Sequence, residues 1–406
     1  MTTSRYRFDE AQSYWRHAPS GSGKHDTASL AEAPDRVLLD VWDAAFRSRF
    51  RGYPEEDLFV RGFAKSVGGQ RILSVGSGLG LHELFYAAAG ATVTCADIVP
   101  SNLRVVERVA ALKSLAGVRT TVLGNGQVAQ EPCDTLFVYG ALMHMPRDQQ
   151  RELLRQGSAL LSPNGRIVLM LYTWTFASAM CHWTSPDQFD PVLFGRASDP
   201  SVGAEHCPWA DWHDDDAVLD LVGPGFHIAK KQVWNLDYFA WYELRRGPAS
   251  AVGTFFEPGA LASGTVAGRI EPKQFVAGDS VGDAARPGAY RTSENLMHYA
   301  ALSPEVSFAA GNRINAVQIG IRLDAGSISV GLLDAGQQQF VSSAGVTRPG
   351  SSVVQLLVDR MPERAQVIVS NNHAIQPAIS SFTVESAEFM SVDIATPPAT
   401  VRHSAS

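Results

Sequence analysis

The run Ile72-Leu73-Ser74-Val75-Gly76-Ser77-Gly78-Leu79-Gly80, followed by Val93-Thr94-Cys95-Ala96-Asp97, decides how this chain folds. It reads as an apolar strand, a glycine-rich turn that opens a helix, a second apolar strand, and a carboxylate at that strand's end. Glycine at alternate positions lets the backbone turn sharply and approach a ligand, because no Cβ stands in the way. The unpaired N–H groups at the start of the next helix, with its dipole, favour an anionic group there. Asp97 stands where a carboxylate accepts both hydroxyls of a ribose. The segment implies a nucleoside site.

Outward from that run, strand and helix signals alternate. Residues 71–75, 92–96, 118–123, 135–139 and 166–172 read as strands. Between them, Leu81, Leu84, Phe85 and Ala88 line one helix face that Gly90 stops, Ser101 is placed to cap a second helix, and residues 148–161 form a third, ended by Ser162-Pro163-Asn164-Gly165. Such alternation implies βαβ units and a parallel sheet. Residues 226–234 and 238–244 are two strands separated only by Asn235-Leu236-Asp237, so they pair antiparallel. Beyond residue 246 a stretch rich in Gly, Ala and Pro reads as a linker. After it, Val317, Ile319, Ile321 and Leu323 alternate with Gln318, Gly320 and Arg322, and further short strands follow to residue 384. That pattern predicts a β-sandwich.

The glycine spacing is G-x-G-x-G, not the G-x-G-x-x-G of dinucleotide sites. From about Tyr53 to Arg245 the chain resembles the class I S-adenosylmethionine-dependent methyltransferases, on that turn, Asp97 and the elements that follow. The resemblance implies a mostly parallel, Rossmann-like α/β sheet with a reversed last strand, joined here to the all-β sandwich. It implies S-adenosyl-L-methionine as cofactor, held by Ser74, Gly76, Gly78, Gly80, Asp97, Ile98, Asn125 and Tyr139. The family normally has an acid at the Ser74 position, serving the cofactor's amino-acid end, and a Gly-Asp pair where this chain has Gly124-Asn125. Asn125 retains a side-chain oxygen that accepts from the adenine amine. In similar enzymes an N-terminal segment folds over the cofactor, a role open to Tyr14 and Trp15; ordinary helix packing is the alternative.

The fourth strand runs into Tyr139-Gly140-Ala141-Leu142-Met143-His144-Met145-Pro146, where the family often has a His-Pro-like segment beside the transferable methyl. His144 is expected either to remove a proton from a substrate hydroxyl or to shape the pocket floor through a loop carbonyl. Residues 173–213 are too long for an ordinary connection and read as a lid. They hold Trp174, Trp183, Trp209 and Trp212, half of the eight tryptophans, with His182, His206 and His213. Aromatics with polar tips suit a pocket that stacks on a ring and orients hydroxyls; a small satellite core is the alternative. His182 and His213 stand behind His144 as candidate bases. Trp209-Ala210-Asp211-Trp212 and Trp241-Tyr242-Glu243-Leu244 resemble sugar- and glycan-modifying members, which implies a polar, hydroxyl-bearing acceptor; a small aromatic natural product fits the tryptophans too.

At 406 residues two domains are expected: a helical cover over 1–65, the methyltransferase domain over 66–246, a linker over 247–292 and the sandwich over 293–395. The net charge of −7 gives no electrostatic reason for a nucleic-acid partner. No signal-peptide pattern or membrane-length apolar run is read, and four cysteines without a paired framework fit a reducing cytoplasm. Cys181-His182, His206-Cys207, Asp211 and His213 are suitable ligand types but lack metal-ligand spacing, so no metal is expected. The sandwich suggests a homo-oligomer contact. Two rivals remain: a non-catalytic binding protein acting through the sandwich, and a nicotinamide-dependent oxidoreductase, disfavoured by the glycine spacing and reversed strand.

Overall fold

A computed structural model describes residues 6–19, 25–124, 131–199, 205–235, 237–249, 251–256, 264–278, 281–282, 288–292, 299–346, 349–358, 360–371, 379–392, 394–396 and 398. Asn125 and the 20–24 stretch lie outside them. The chain divides into two compact units: Met1–Phe46, Val60–Phe256 and Thr396–Ser406 form the first, Arg47–Phe59 and Glu257–Ala395 the second.

Helices α1 (Phe8–His17), α2 (Thr27–Glu32), α3 (Asp35–Gly52) and α4 (Pro54–Ala64) come first. Then β1 (Arg71–Val75), α5 (Leu81–Ala88), β2 (Thr92–Asp97), α6 (Pro100–Leu112), β3 (Val118–Val122), β4 (Cys133–Tyr139), α7 (Arg147–Ala159) and β5 (Leu161–Tyr172) alternate as expected. After α8 (Trp174–Cys181), α9 (Pro191–Ser198) and α10 (Asp215–Val222) come β6 (Phe226–Trp234) and β7 (Phe239–Arg246). The sheet order is β3-β2-β1-β4-β5-β7-β6. Strands β1 to β5 pair parallel, and β7 runs antiparallel to both neighbours, which makes the sheet Rossmann-like with one reversed strand. Residues Leu73, Val75, Leu136, Val138, Ile167 and Leu169 share one buried core, as strands of a sheet covered on both faces must.

Two local expectations are corrected. Ser101 does not cap α6: Pro100 starts the helix, where its missing N–H costs nothing, and the Ser101 hydroxyl instead meets Thr27 Oγ1 at 2.8 Å. Ser162-Pro163-Asn164-Gly165 is not a break between helix and strand but a bulge inside β5, where the pairing jumps from Cys133↔Leu161 to Thr135↔Arg166.

The second unit holds β8 (Gly264–Ile270), β9 (Val276–Ala277), β10 (Val281–Gly282), β11 (Ala289–Arg291), β12 (Tyr299–Leu302), β13 (Val306–Ser307), β14 (Ala316–Ala325), β15 (Ile328–Asp334), β16 (Gln339–Val346), β17 (Gly350–Leu357), β18 (Arg364–Asn371) and β19 (Ser381–Val392). One sheet runs β10-β11-β19-β14-β17 with β8 on β19; the other runs β16-β15-β18-β12-β9 with β13 on β18. Val317, Ile319, Ile321 and Leu323 from the first share a buried core with Val330, Leu332, Val367 and Val369 from the second, the packing of a sandwich. The stretch read as a linker contributes β8 to β11. Glycine and alanine gave it no apolar alternation, and its pairing comes from β19, β12 and a partner within the stretch itself.

Candidate functional site

The carboxyl ends of β1, β2 and β4 lie side by side, and the loops leaving them build one site. Gly76 turns with φ +75°, and a Cβ there would sit 2.2 Å from the Cβ of Ala141, so the loop after β4 packs directly on the turn. Gly78 has φ +52°, and its Cβ would lie 1.8 Å from the carbonyl oxygen of Pro19. Only glycine meets both demands, a left-handed backbone and no volume.

Asp97 is buried and braces this turn. Its Oδ2 accepts the Gly78 N–H and its Oδ1 the Val99 N–H, each at 2.8 Å. Burial pushes its carboxyl above the usual range, against those two hydrogen bonds. Ser74, at the end of β1, donates from Oγ to Glu83 Oε1 at 2.5 Å. Glu83 stands in the first turn of α5 and drew no attention in the sequence, where an acid at that helix position reads only as a complement to the dipole. Tyr139 ends β4 with its ring 4.2 Å from that of His82.

The N-terminal segment covers this ground. Gln12 Nε2 donates to the Ile98 carbonyl at 2.6 Å, Thr27 donates to Asn102 Oδ1 at 2.8 Å, and the Trp15 ring lies 4.6 Å from that of His144. Tyr14 is fully buried beside Ala18 and Cys207. Gln12 and Pro19 carry no sequence signal for this role, since both act from positions that look like plain helix and turn.

His144 sits in a short 3-10 turn after β4, buried, with Nδ1 3.0 Å from the Trp209 carbonyl. A carbonyl only accepts, so Nδ1 carries the proton and Nε2 is left as the basic nitrogen. Burial lowers its pKa to about 4, opposed by the Trp209 hydrogen bond, which keeps the ring neutral at pH 7. Residues 209–213 run along the sheet edge, with the Asp211 N–H on the Met143 carbonyl at 2.8 Å and the His213 N–H on the Tyr172 carbonyl at 2.9 Å. The ion pair from Arg147 Nε to Asp211 Oδ2, at 2.9 Å, pins that run. His213 is buried too, with Nε2 2.7 Å from Gln150 Oε1 and a pKa lowered by burial to about 4. His182 is exposed, ends α8 at φ +56°, and makes no hydrogen bond or ring contact among the described residues.

The four candidate tryptophans separate into two groups. Trp174, Trp183 and Trp212 join Phe189 in a closed, half-buried ring of contacts, with centroid distances of 6.4, 5.5, 6.4 and 5.1 Å around it. Trp209 is buried apart from them, edge-on to Tyr6 at 6.2 Å. Beside α1 a cavity of about 820 Å³ is lined by Arg7, Glu10, Arg196, Glu205, His206 and Cys207. Cys207 Sγ is 3.6 Å from His144 Nδ1, so the cavity reaches the histidine's neighbour.

Residues 72–165 match the family model described as a methyltransferase domain. No curated protein matches the chain. Solved structures that align with the chain include the CcbJ methyltransferase from Streptomyces caelestis, at 13% identity and a TM-score of 0.39, covering 48% of this chain and 90% of that one. Magnesium protoporphyrin IX methyltransferase (ChlM) from Synechocystis PCC 6803, with SAH bound, aligns at 16% identity and a TM-score of 0.36, covering 59% and 94%. The glycopeptide N-methyltransferase MtfA aligns at 15% identity and a TM-score of 0.35, covering 46% and 89%.

Proposed function

We propose that this chain, whose residues 72–165 match a methyltransferase domain, is a class I S-adenosylmethionine-dependent methyltransferase that methylates a hydroxyl of a polar small molecule bound at the carboxyl edge of its seven-stranded sheet. The cofactor supplies an electrophilic methyl group on a positively charged sulfur. The residues around the glycine turn fit it: Gly76, Gly78 and Gly80 offer backbone without side chains, Asp97 a carboxylate for the ribose, and Ile98 an apolar face for the adenine. Tyr139 borders the same turn through His82, and Asn125 keeps its proposed place at the adenine amine from the sequence alone.

The observation that carries the acceptor reading is the tautomer of His144. With Nδ1–H fixed on the Trp209 carbonyl, Nε2 is the lone pair that takes the hydroxyl proton as the oxygen gains its methyl group. Methyl transfer needs alignment and dryness more than acid–base power, and the segment bearing Gln12, Trp15 and Pro19 excludes water from the turn. The ring formed by Trp174, Trp183, Phe189 and Trp212 offers a stacking surface for a sugar face or a planar ring. That same surface favours, as the second reading, an aromatic natural product as acceptor. His213, bonded to Gln150, orients the wall rather than the proton.

Two measurements test this reading. Calorimetric titration with S-adenosylhomocysteine is expected to give micromolar binding that weakens about tenfold or more in Asp97→Ala. In an acceptor screen, His144→Gln is expected to lower kcat by about 10²–10⁴ while cofactor affinity stays within about threefold. A hydroxyl acceptor turned over equally well by His144→Gln would remove the base from the mechanism.

A further inference from the structure

The end of β1 lacks a carboxylate of its own, and the fold brings one in from the side. Ser74 is 1% exposed and Glu83 is 3% exposed, and the 2.5 Å hydrogen bond between them places the carboxylate beneath the glycine turn. Glu83, Asp97 and Cys95 share this buried space: the charges of Glu83 and Asp97 both add to burial in raising the Cys95 thiol. Burial likewise holds the Glu83 carboxyl above the usual range, with His82 and Ser74 opposing and Asp97 adding to it. Among the described residues no Lys or Arg pairs with Glu83. Buried carboxylates without a cationic partner are costly unless a ligand supplies one.

The Ser74 hydroxyl has one proton, and it is committed to Glu83. Its lone pairs are therefore turned away from the carboxylate, toward whatever donor enters at the end of β1. A hydroxyl bonded to an anion is also a stronger acceptor than a free one.

We propose that Ser74 is the acceptor for the ammonium group at the amino-acid end of the cofactor, and that Glu83 is the positioning residue that orients this hydroxyl and supplies the negative charge behind it. The pair does, from a helix, what a carboxylate on the strand does directly. This rests on cofactor binding at the glycine turn and is independent of the acceptor.

Two ligands separate this role from a structural one: S-adenosylhomocysteine, which carries the ammonium, and 5′-methylthioadenosine, which keeps the nucleoside and lacks the amino-acid end. By calorimetry, Glu83→Gln is expected to raise the Kd for S-adenosylhomocysteine about tenfold and to leave 5′-methylthioadenosine within about twofold. Ser74→Asp placed in the Glu83→Gln background returns a carboxylate to the strand and is expected to restore most of the lost affinity. Ser74→Ala, the smaller change, tests the same point should Glu83→Gln fail to fold, and is expected to weaken S-adenosylhomocysteine selectively. Equal loss of both ligands, or no loss of either, would overturn the assignment. Wild-type protein that binds neither ligand would overturn the cofactor site and this pair with it, whereas wild-type binding with an unaffected Glu83→Gln overturns the pair alone.

Discussion

His144 and His213 are two buried imidazoles kept neutral for one purpose and titrated for another. Each has its pKa lowered by burial to about 4. A folded pKa below the unfolded value near 6.5 means that the unfolded chain takes up the proton first as pH falls. The stability contributed by the neutral form is therefore whole above about pH 6.5 and is lost on the way down to about pH 4. Against a His213→Gln variant, which keeps a partner for Gln150, the wild-type advantage in urea unfolding is expected to shrink by up to about 1.4 kcal/mol per pH unit between pH 6 and 4. An advantage constant over that range would show that His213 titrates normally. The sequence ranked His144 ahead of His182 and His213 by its place after the fourth strand, but burial, the Trp209 carbonyl and the Trp15 ring that separate His144 from the exposed His182 left no mark in it. Glu83 was illegible for the opposite reason: its partner lies nine residues earlier, on another element.

Among the elements, the glycine turn was the most legible, because left-handed backbone at Gly76, Gly78 and Gly80 leaves a one-letter signature. What packs on it left none. Gly78→Ala puts a Cβ where the Pro19 carbonyl stands and strains a backbone at φ +52°, so it is expected to destabilise the first unit by about 1–3 kcal/mol. It is also expected to loosen α1. Limited proteolysis would then cut within residues 6–19 faster in the variant than in the wild type, and equal rates would mean that α1 is held without the turn. The strands β8 to β11 were missed because their pairing partners, not their own side chains, make them strands. In β14 the reverse holds: Val317, Ile319, Ile321 and Leu323 are apolar and buried at every second position, and the sequence alone marks the face they share.

At the scale of the molecule, the path of the chain departs from the order that the sequence suggests. Residues 47–59 leave the first unit to join the second, and residues 396–406 return to the first. Within the second unit Asp57 Oδ1 accepts the Ala395 N–H at 2.6 Å, a bond that no reading of residues 257–395 alone would include. Within the first, Lys113 is 1% exposed and its ammonium donates to Asp43 and to the Pro398 carbonyl, both at 2.8 Å, over the Trp42 ring. Removing residues 396–406 strips this buried cation of an acceptor and is expected to lower the stability of the first unit by about 1–3 kcal/mol. In a Lys113→Met background the same truncation is expected to cost little, and calorimetric melting of the four proteins reads the coupling. A truncation that leaves melting unchanged would show that the carbonyl is replaceable by water.

The Lys113–Pro398 bond also carries a timetable. Its partners are separated by 285 residues, which a ribosome adding about 5–20 residues per second takes roughly 15–60 s to deliver. Over the later part of that interval, once the chain has been made as far as Arg246, the nascent seven-stranded sheet has every strand it needs and still holds an ammonium without its last partner. A stretch made late thus completes the burial of a cation made early, and a chain that lacks residues 396–398 meets the cell's folding surveillance with that cation one acceptor short.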